Sequence, residues 1–132
     1  MLGLQAPKSV QGESFLSNLI DRKNKNWRQS MYYHYYEYPF YHHVQPHYGI
    51  RNERYKLIHF YYDMDQWELY DLKKDPNELN NIYVSKKESK LVSKLKSELY
   101  SLKKYYGNDL TYNEMREISD TDFGGLESKK TK

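Results

Sequence analysis

An α+β fold, an antiparallel sheet of about four strands with one long C-terminal amphipathic helix packed on it, is what this sequence predicts. Three observations carry the prediction. Short aromatic-rich runs with two-residue alternation fill the middle of the chain, bounded by turn-forming residues. A leucine series with helical spacing follows them. The length, 132 residues and 16.1 kDa, suffices for one hydrophobic core but not for two.

Residues 1–30 read as a connector. Pro7 and Gly12 punctuate it, and Ser14, Phe15, Leu16, Leu19 and Ile20 predict a short helix before the polar run from Asp21 to Asn26. The run MYYHYYEY, Met31 to Tyr38, is aromatic, short and stopped by Pro39, which favours a strand. After a loop rich in His and Pro, HYGIRNERYKLIHFYY gives two extended arms about a tight turn at Asn52 and Glu53. In the second arm Tyr55, Leu57, His59 and Tyr61 share one face, and Arg54, Lys56, Ile58, Phe60 and Tyr62 the other. A polar turn leads into a further strand, WELYDL from Trp67 to Leu72, and antiparallel strands in sequence order are the simplest arrangement. Ser85 with Glu88 has the form of a capping box. Leu91, Leu95, Leu99, Leu102 and Tyr106 then recur at helical spacing, and Gly107 sits where a C-cap belongs, so a helix is predicted from about Lys86 to Tyr106. Beyond Gly107 the pattern fades, and residues 108–132 are expected to form a mobile tail.

Composition excludes several classes. No apolar run approaches the roughly 18 residues of a membrane span, and Met1 to Val10 lacks the form of a secretory signal. With no cysteine there is no disulfide, thiolate zinc site or cysteine nucleophile. Tyrosine is abundant, at 16 residues, and lysine outnumbers arginine 16 to 5; A/T-rich codons and sheet packing both account for such a bias. Net charge runs +3 over residues 1–30, -3 over 31–84 and +3 over 85–132.

The individual motifs assemble no active site by themselves. His42, His43 and His47 lie close together, but in a Pro-containing loop with no zinc-type spacing, where solvated histidines are the simpler reading. DTDFGGLE imitates the start of a calcium loop with Asp120, Asp122 and Gly125, yet Gly124 and Thr131 fall where oxygen ligands belong. The lysine face of the long helix and the tyrosines suit nucleic acid poorly, because arginine is scarce and the tyrosine-rich strands are net acidic. No nucleophile elbow and no phosphate-binding glycine loop occurs.

Read as one string, HYGIRNERYKLIHFYYDMDQWELYDLKKDPNELNNIY resembles the C-terminal subdomain of bacterial sulfatases related to N-sulphoglucosamine sulphohydrolases. The specific parts are GIR-x-x-RYKLI, Gly49 to Ile58, and ELYDL-x-x-DP-x-E-x-N, Glu68 to Asn80. Upstream, MLGLQAPKSVQGESFLSNLI, the pair Trp27 and Arg28, and the strand around YYHYYEYP agree, so the resemblance runs from Met1 to about Gly107. It implies that residues 1–30 are the end of the catalytic domain and a connector, and residues 31–107 the C-terminal subdomain. It also implies a hydrolase of sulfate esters or sulfamates on carbohydrate, glycosaminoglycan included, whose formylglycine and calcium ion belong to a catalytic domain. This chain has no cysteine and no Ser-x-Pro-x-Arg, so the expectation is a C-terminal fragment, catalytically incomplete alone, with no cofactor of its own. The expected partners are that catalytic domain and a sulfated carbohydrate, with no nucleic acid and no membrane span, and the intact enzyme would be periplasmic or extracellular. The substrate-binding residues implied are His47, just before GIR, whose imidazole can hydrogen-bond a sugar hydroxyl, and Arg51, whose guanidinium can pair with an anionic sugar or brace an acidic neighbour. Tyr36, Glu37, Tyr38 and His42 are further residues for the same cleft. A stand-alone, tyrosine-rich glycan-binding or interaction module is the alternative.

Overall fold

The computed structural model describes residues 7, 9–10, 12–20, 27–38 and 42–123. The polar run 21–26, the strand stop at Pro39 and the terminal residues 124–132 lie outside them.

The short helix expected near the N-terminus is α1, Leu16–Ile20, with Phe15, Leu19 and Ile20 exposed. Four strands follow: β1 (Ser30–Tyr35), β2 (His47–Asn52), β3 (Tyr55–Phe60) and β4 (Gln66–Asp71). They form one antiparallel sheet in the order β1-β2-β3-β4, the meander that sequence order predicted. β1 ends at Tyr35, short of Pro39. The hairpin between β2 and β3 turns one residue later than expected. Asn52 Oδ1 accepts from the N–H groups of Arg54 (2.9 Å) and Tyr55 (2.7 Å), which leaves Glu53 and Arg54 as the link.

One face of the sheet carries Tyr48, Ile50, Leu57, Tyr61 and Leu69, and these pack against Val92, Leu95 and Leu99 of a long helix to make the core. The helix itself departs from the expected boundaries. A single turn, α2 (Tyr83–Lys86), comes first, and the long helix α3 spans Lys90–Tyr105. Ser89, not Ser85, is its N-cap: it is extended and its Oγ accepts from the Val92 N–H at 3.3 Å. Ser85 instead donates to the Ile82 carbonyl. The reason is tertiary. Asn81 Oδ1 accepts from Leu69 N–H and Tyr83 N–H, and Ile82 N–H donates to Leu69 O, so α2 is fixed to β4 and the chain must turn before α3 can lie on the sheet. At the other end Gly107 has φ +70, with Gly107 N–H on Lys104 O and Asn108 N–H on Lys103 O, the paired bonds of a Schellman C-cap.

Beyond that cap, where only a tail was expected, lies α4 (Tyr112–Ile118), followed by a π-helical turn, Ser119–Phe123. Thr111 and Glu114 form the capping box at its start. Met115 enters the core, and Lys103, 6% exposed, is buried with its ammonium 3.8 Å from Met115 Sδ and 4.2 Å above the Tyr48 ring. The basic face of α3 is thus not wholly solvated: Lys96 also leans onto the Trp67 ring at 3.9 Å and donates to Tyr83 Oη. Among the described residues no helix is long and apolar enough to cross a membrane.

Candidate functional site

The motif residues divide into those that build the fold and those left over. In GIR-x-x-RYKLI, Gly49 sits opposite Tyr33 and Ile58, and the Tyr33 ring lies across it, so an added Cβ would come within 2.5 Å of Leu57 O and Tyr33 Oη. Ile50 and Leu57 are core residues, and Arg54 holds Asp71 through Nη2–Oδ2 (3.0 Å) and Nε–Oδ1 (3.3 Å). That pairing holds the Asp71 carboxyl below the usual carboxylate range. In ELYDL-x-x-DP-x-E-x-N, Asp75 accepts from Leu79 N–H and Asn80 N–H. Glu78 has φ +55, and its carboxylate takes Lys56 Nζ at 2.5 Å. Nearly every residue of the two motifs therefore has a folding role. Arg51 is the exception: it is exposed and makes no hydrogen bond or ion pair among the described residues.

His47 opens β2 on the sheet face opposite α3. Its register neighbours are Tyr35 and Phe60, and their rings clamp it, Tyr35 stacked at 5.4 Å and Phe60 tilted at 5.1 Å, with Tyr33 edge-on at 6.0 Å. His47 Nδ1 lies 2.8 Å from Gln45 O. A carbonyl only accepts, so Nδ1 carries the proton; in the neutral ring Nε2 keeps its lone pair, and it has no partner among the described residues. Sequence reasoning found His47 but missed Gln45, Tyr35 and Phe60, which hold it. Strand register was the signal for the rings, since all three side chains stand in one row.

His47 and Arg51 share a strand and a face, but four residues of strand put them about 13 Å apart. They do not touch a single small group together. His34, Tyr35, Tyr36 and Glu37 line a cleft of about 300 Å³ at the His47 end. Tyr38 packs on Tyr62 at 5.2 Å, and His42 and His43 are exposed. Arg51 lies in a separate concavity of about 190 Å³ at the other end, with Trp27, Arg28 and Met31.

Two other histidines belong to the interior. His34 receives a hydrogen bond from Asn108 Nδ2 (2.7 Å) and donates to Tyr61 Oη (2.8 Å); burial pulls its pKa down to about 4, with Lys103 and His47 adding repulsion. His59 bridges Tyr48 Oη (2.8 Å) and Asp65 (2.6 Å) while stacking on Trp67 at 4.1 Å. Burial also lowers its pKa, against the pull of Asp65.

Formylglycine and calcium do not fit this donor set. The chain has no cysteine and no Ser-x-Pro-x-Arg, and among the described residues no group of three or more His, Cys, Asp or Glu side chains could hold a metal ion.

A four-stranded meander with one face covered by a long helix, and a clamped histidine on the other, makes this an α+β subdomain. The chain belongs to the family described as N-sulphoglucosamine sulphohydrolase, C-terminal, which matches residues 1–105. It is 45% identical over 114 residues to an N-acetylglucosamine-6-O-sulfatase of Bacteroides thetaiotaomicron, covering 81% of this chain and 20% of that protein. It is also similar to a solved structure of a protein in complex with its substrate D-glucosamine-2-N,6-O-disulfate, at 43% identity and TM-score 0.75, over 81% of this chain and 22% of that one. A crystal structure of a sulfatase-like protein from Bacteroides thetaiotaomicron superposes with TM-score 0.68 at 26% identity, over 81% of this chain and 23% of that one. The chain thus spans about a fifth of the length of the relatives it matches. The match ends at residue 105, so α4 lies beyond it.

Proposed function

We propose that this chain serves as the C-terminal, cleft-lining part of a carbohydrate sulfatase, a sulfuric ester hydrolase whose substrate is a sulfated amino sugar. His47 carries the reading. Its ring is held on two sides and its proton is fixed on Nδ1, so Nε2 is a preoriented acceptor for a sugar hydroxyl beside the scissile ester. Such a group orients substrate and leaves the bond-breaking chemistry to others. Formylglycine and calcium, which supply the nucleophile and the charge stabilisation, belong in this reading to the larger remainder of a sulfatase. Arg51, at the far end of β2, serves a different part of the substrate.

The outer sheet face supports a larger partner. Tyr33 and Tyr35 hydroxyls there are shielded from water yet unpartnered among the described residues, and burial raises the Tyr33 pKa. Packing against the catalytic part of the enzyme would supply those partners. Periplasmic or extracellular placement of the whole enzyme goes with this reading, since sulfated polysaccharides are met outside the cytoplasm.

The test is a hybrid in which this chain replaces the matching region of the Bacteroides thetaiotaomicron N-acetylglucosamine-6-O-sulfatase. The hybrid is expected to hydrolyse N-acetylglucosamine 6-O-sulfate, and His47→Ala to lower kcat/KM about tenfold, mainly through KM. A folded hybrid unaffected by His47→Ala would remove His47 from the cleft. A folded hybrid that no longer binds substrate would overturn the sulfatase reading.

A further inference from the structure

We propose that Trp27, Arg28 and Arg51 form an anionic-sugar subsite, separate from the His47 cleft, which takes the sulfate or carboxylate group of another unit in an acidic polysaccharide. It rests on the sulfatase reading and extends it from a single sugar to a chain. The chain has five arginines, of which Arg22 lies outside the described residues. Arg54 is consumed by Asp71, and Arg116 Nη1 is consumed by Tyr62 O and Tyr112 Oη. Arg28 and Arg51 converge instead on one concavity of about 190 Å³, lined further by Trp27, Gln29, Ser30, Met31 and Asn52. Among the described residues no carboxylate lines it, and Glu98 nearby is tied to Ser30 Oγ at 2.5 Å. Neither guanidinium has an ion pair or hydrogen bond among the described residues; Arg28 rests 5.4 Å from the Trp27 ring centroid.

Two like charges held at one concavity, with no counter-charge among the described residues, repel each other, and an anion between them reverses the sign of that energy. A sulfate or carboxylate offers the oxygen pair that guanidinium forks take bidentately, and the half-buried Trp27 ring offers an apolar surface to the sugar. The positions follow from the fold: Arg51 faces Met31 across the β1-β2 pair, and residues 27–29 lead directly into β1. The two sites on this face lie about 13 Å apart, a span that an oligosaccharide crosses and a monosaccharide does not.

The test is calorimetric titration of the full chain with a heparin-derived tetrasaccharide and with its desulfated counterpart, at one fixed low ionic strength. Side-chain Nε–H resonances of Arg28 and Arg51 are followed by NMR in parallel. Arg28→Gln and Arg51→Gln are each expected to weaken binding about tenfold without changing Tm, because neither side chain braces the fold. Lys104→Gln, an exposed cation on α3, controls for net charge and is expected to stay within about twofold. Weaker binding in both arginine variants establishes the subsite even where His47→Ala is silent. Binding that His47→Ala lowers and both arginine variants retain overturns the subsite and leaves the His47 reading standing. Equal loss in the lysine control overturns the subsite in favour of diffuse electrostatic attraction. No binding of either saccharide, with no movement of the arginine resonances, overturns the subsite as well.

Discussion

Gly49 shows how much a single residue decides here. A methyl group at that position would meet the Leu57 carbonyl and the Tyr33 hydroxyl, both at 2.5 Å, and backbone in the middle of a sheet does not yield. Gly49→Ala is expected to destabilise the fold by about 2 kcal/mol, read as a lower urea midpoint at unchanged slope. A stability equal to the parent protein would mean that Tyr33 swings away freely. The glycine of the GIR string was legible as part of a motif; its reason was not, because Tyr33 comes from a neighbouring strand. His47 shows the same division. Its position next to the motif marked it, while the proton on Nδ1 and the clamp between Tyr35 and Phe60 follow from Gln45 and from register.

At the scale of elements, α3 illustrates competition between two local signals. Both Ser85 and Ser89 are able to cap a helix, and the sequence pattern Ser-x-x-Glu favours the first. Anchoring of Asn81 and Ile82 to β4 selects the second. Ser89→Ala is expected to cost about 1 kcal/mol, while Ser85→Ala, which removes only an exposed hydroxyl donor, is expected to change stability by less than about 0.5 kcal/mol. Chemical denaturation of the two variants side by side checks this, and the reverse order would restore the longer helix. The C-terminal boundary needed no such arbitration. Gly107 was readable as a cap because few other residues tolerate a positive φ there.

For the molecule as a whole, the His34 network ties β1 to Tyr61, just past β3, and to Asn108 beyond the long helix, and it makes stability depend on pH. The imidazole titrates near its ordinary 6.5 in the unfolded chain and near 4 in the fold, so the unfolded state binds more protons between those values. The stability that the neutral ring contributes is fully present above pH 6.5 and is lost as pH falls toward 4, on the order of 3 kcal/mol in all. Thermal melts across that window are expected to show Tm falling with pH, and His34→Gln to flatten the slope. A slope left intact by the substitution would place the titration elsewhere, His59 being the other buried histidine with a lowered pKa.

The sequence by itself determined the strands, their order, the apolar face of α3 and its glycine stop, because two-residue alternation, helical spacing and a positive φ are local properties. It also determined the family, since two long motifs in fixed order are carried by identity alone. Tertiary structure decided what those motifs are for. Arg54, Asp71, Asp75 and Glu78, the charged residues of the two motifs, hold turns and strand ends. It decided too that α4 closes the core over Lys103 and that Arg28 joins Arg51. Each of those facts is a contact between residues distant in the chain, and such contacts are set by packing the sheet against its helix rather than by any neighbouring residue.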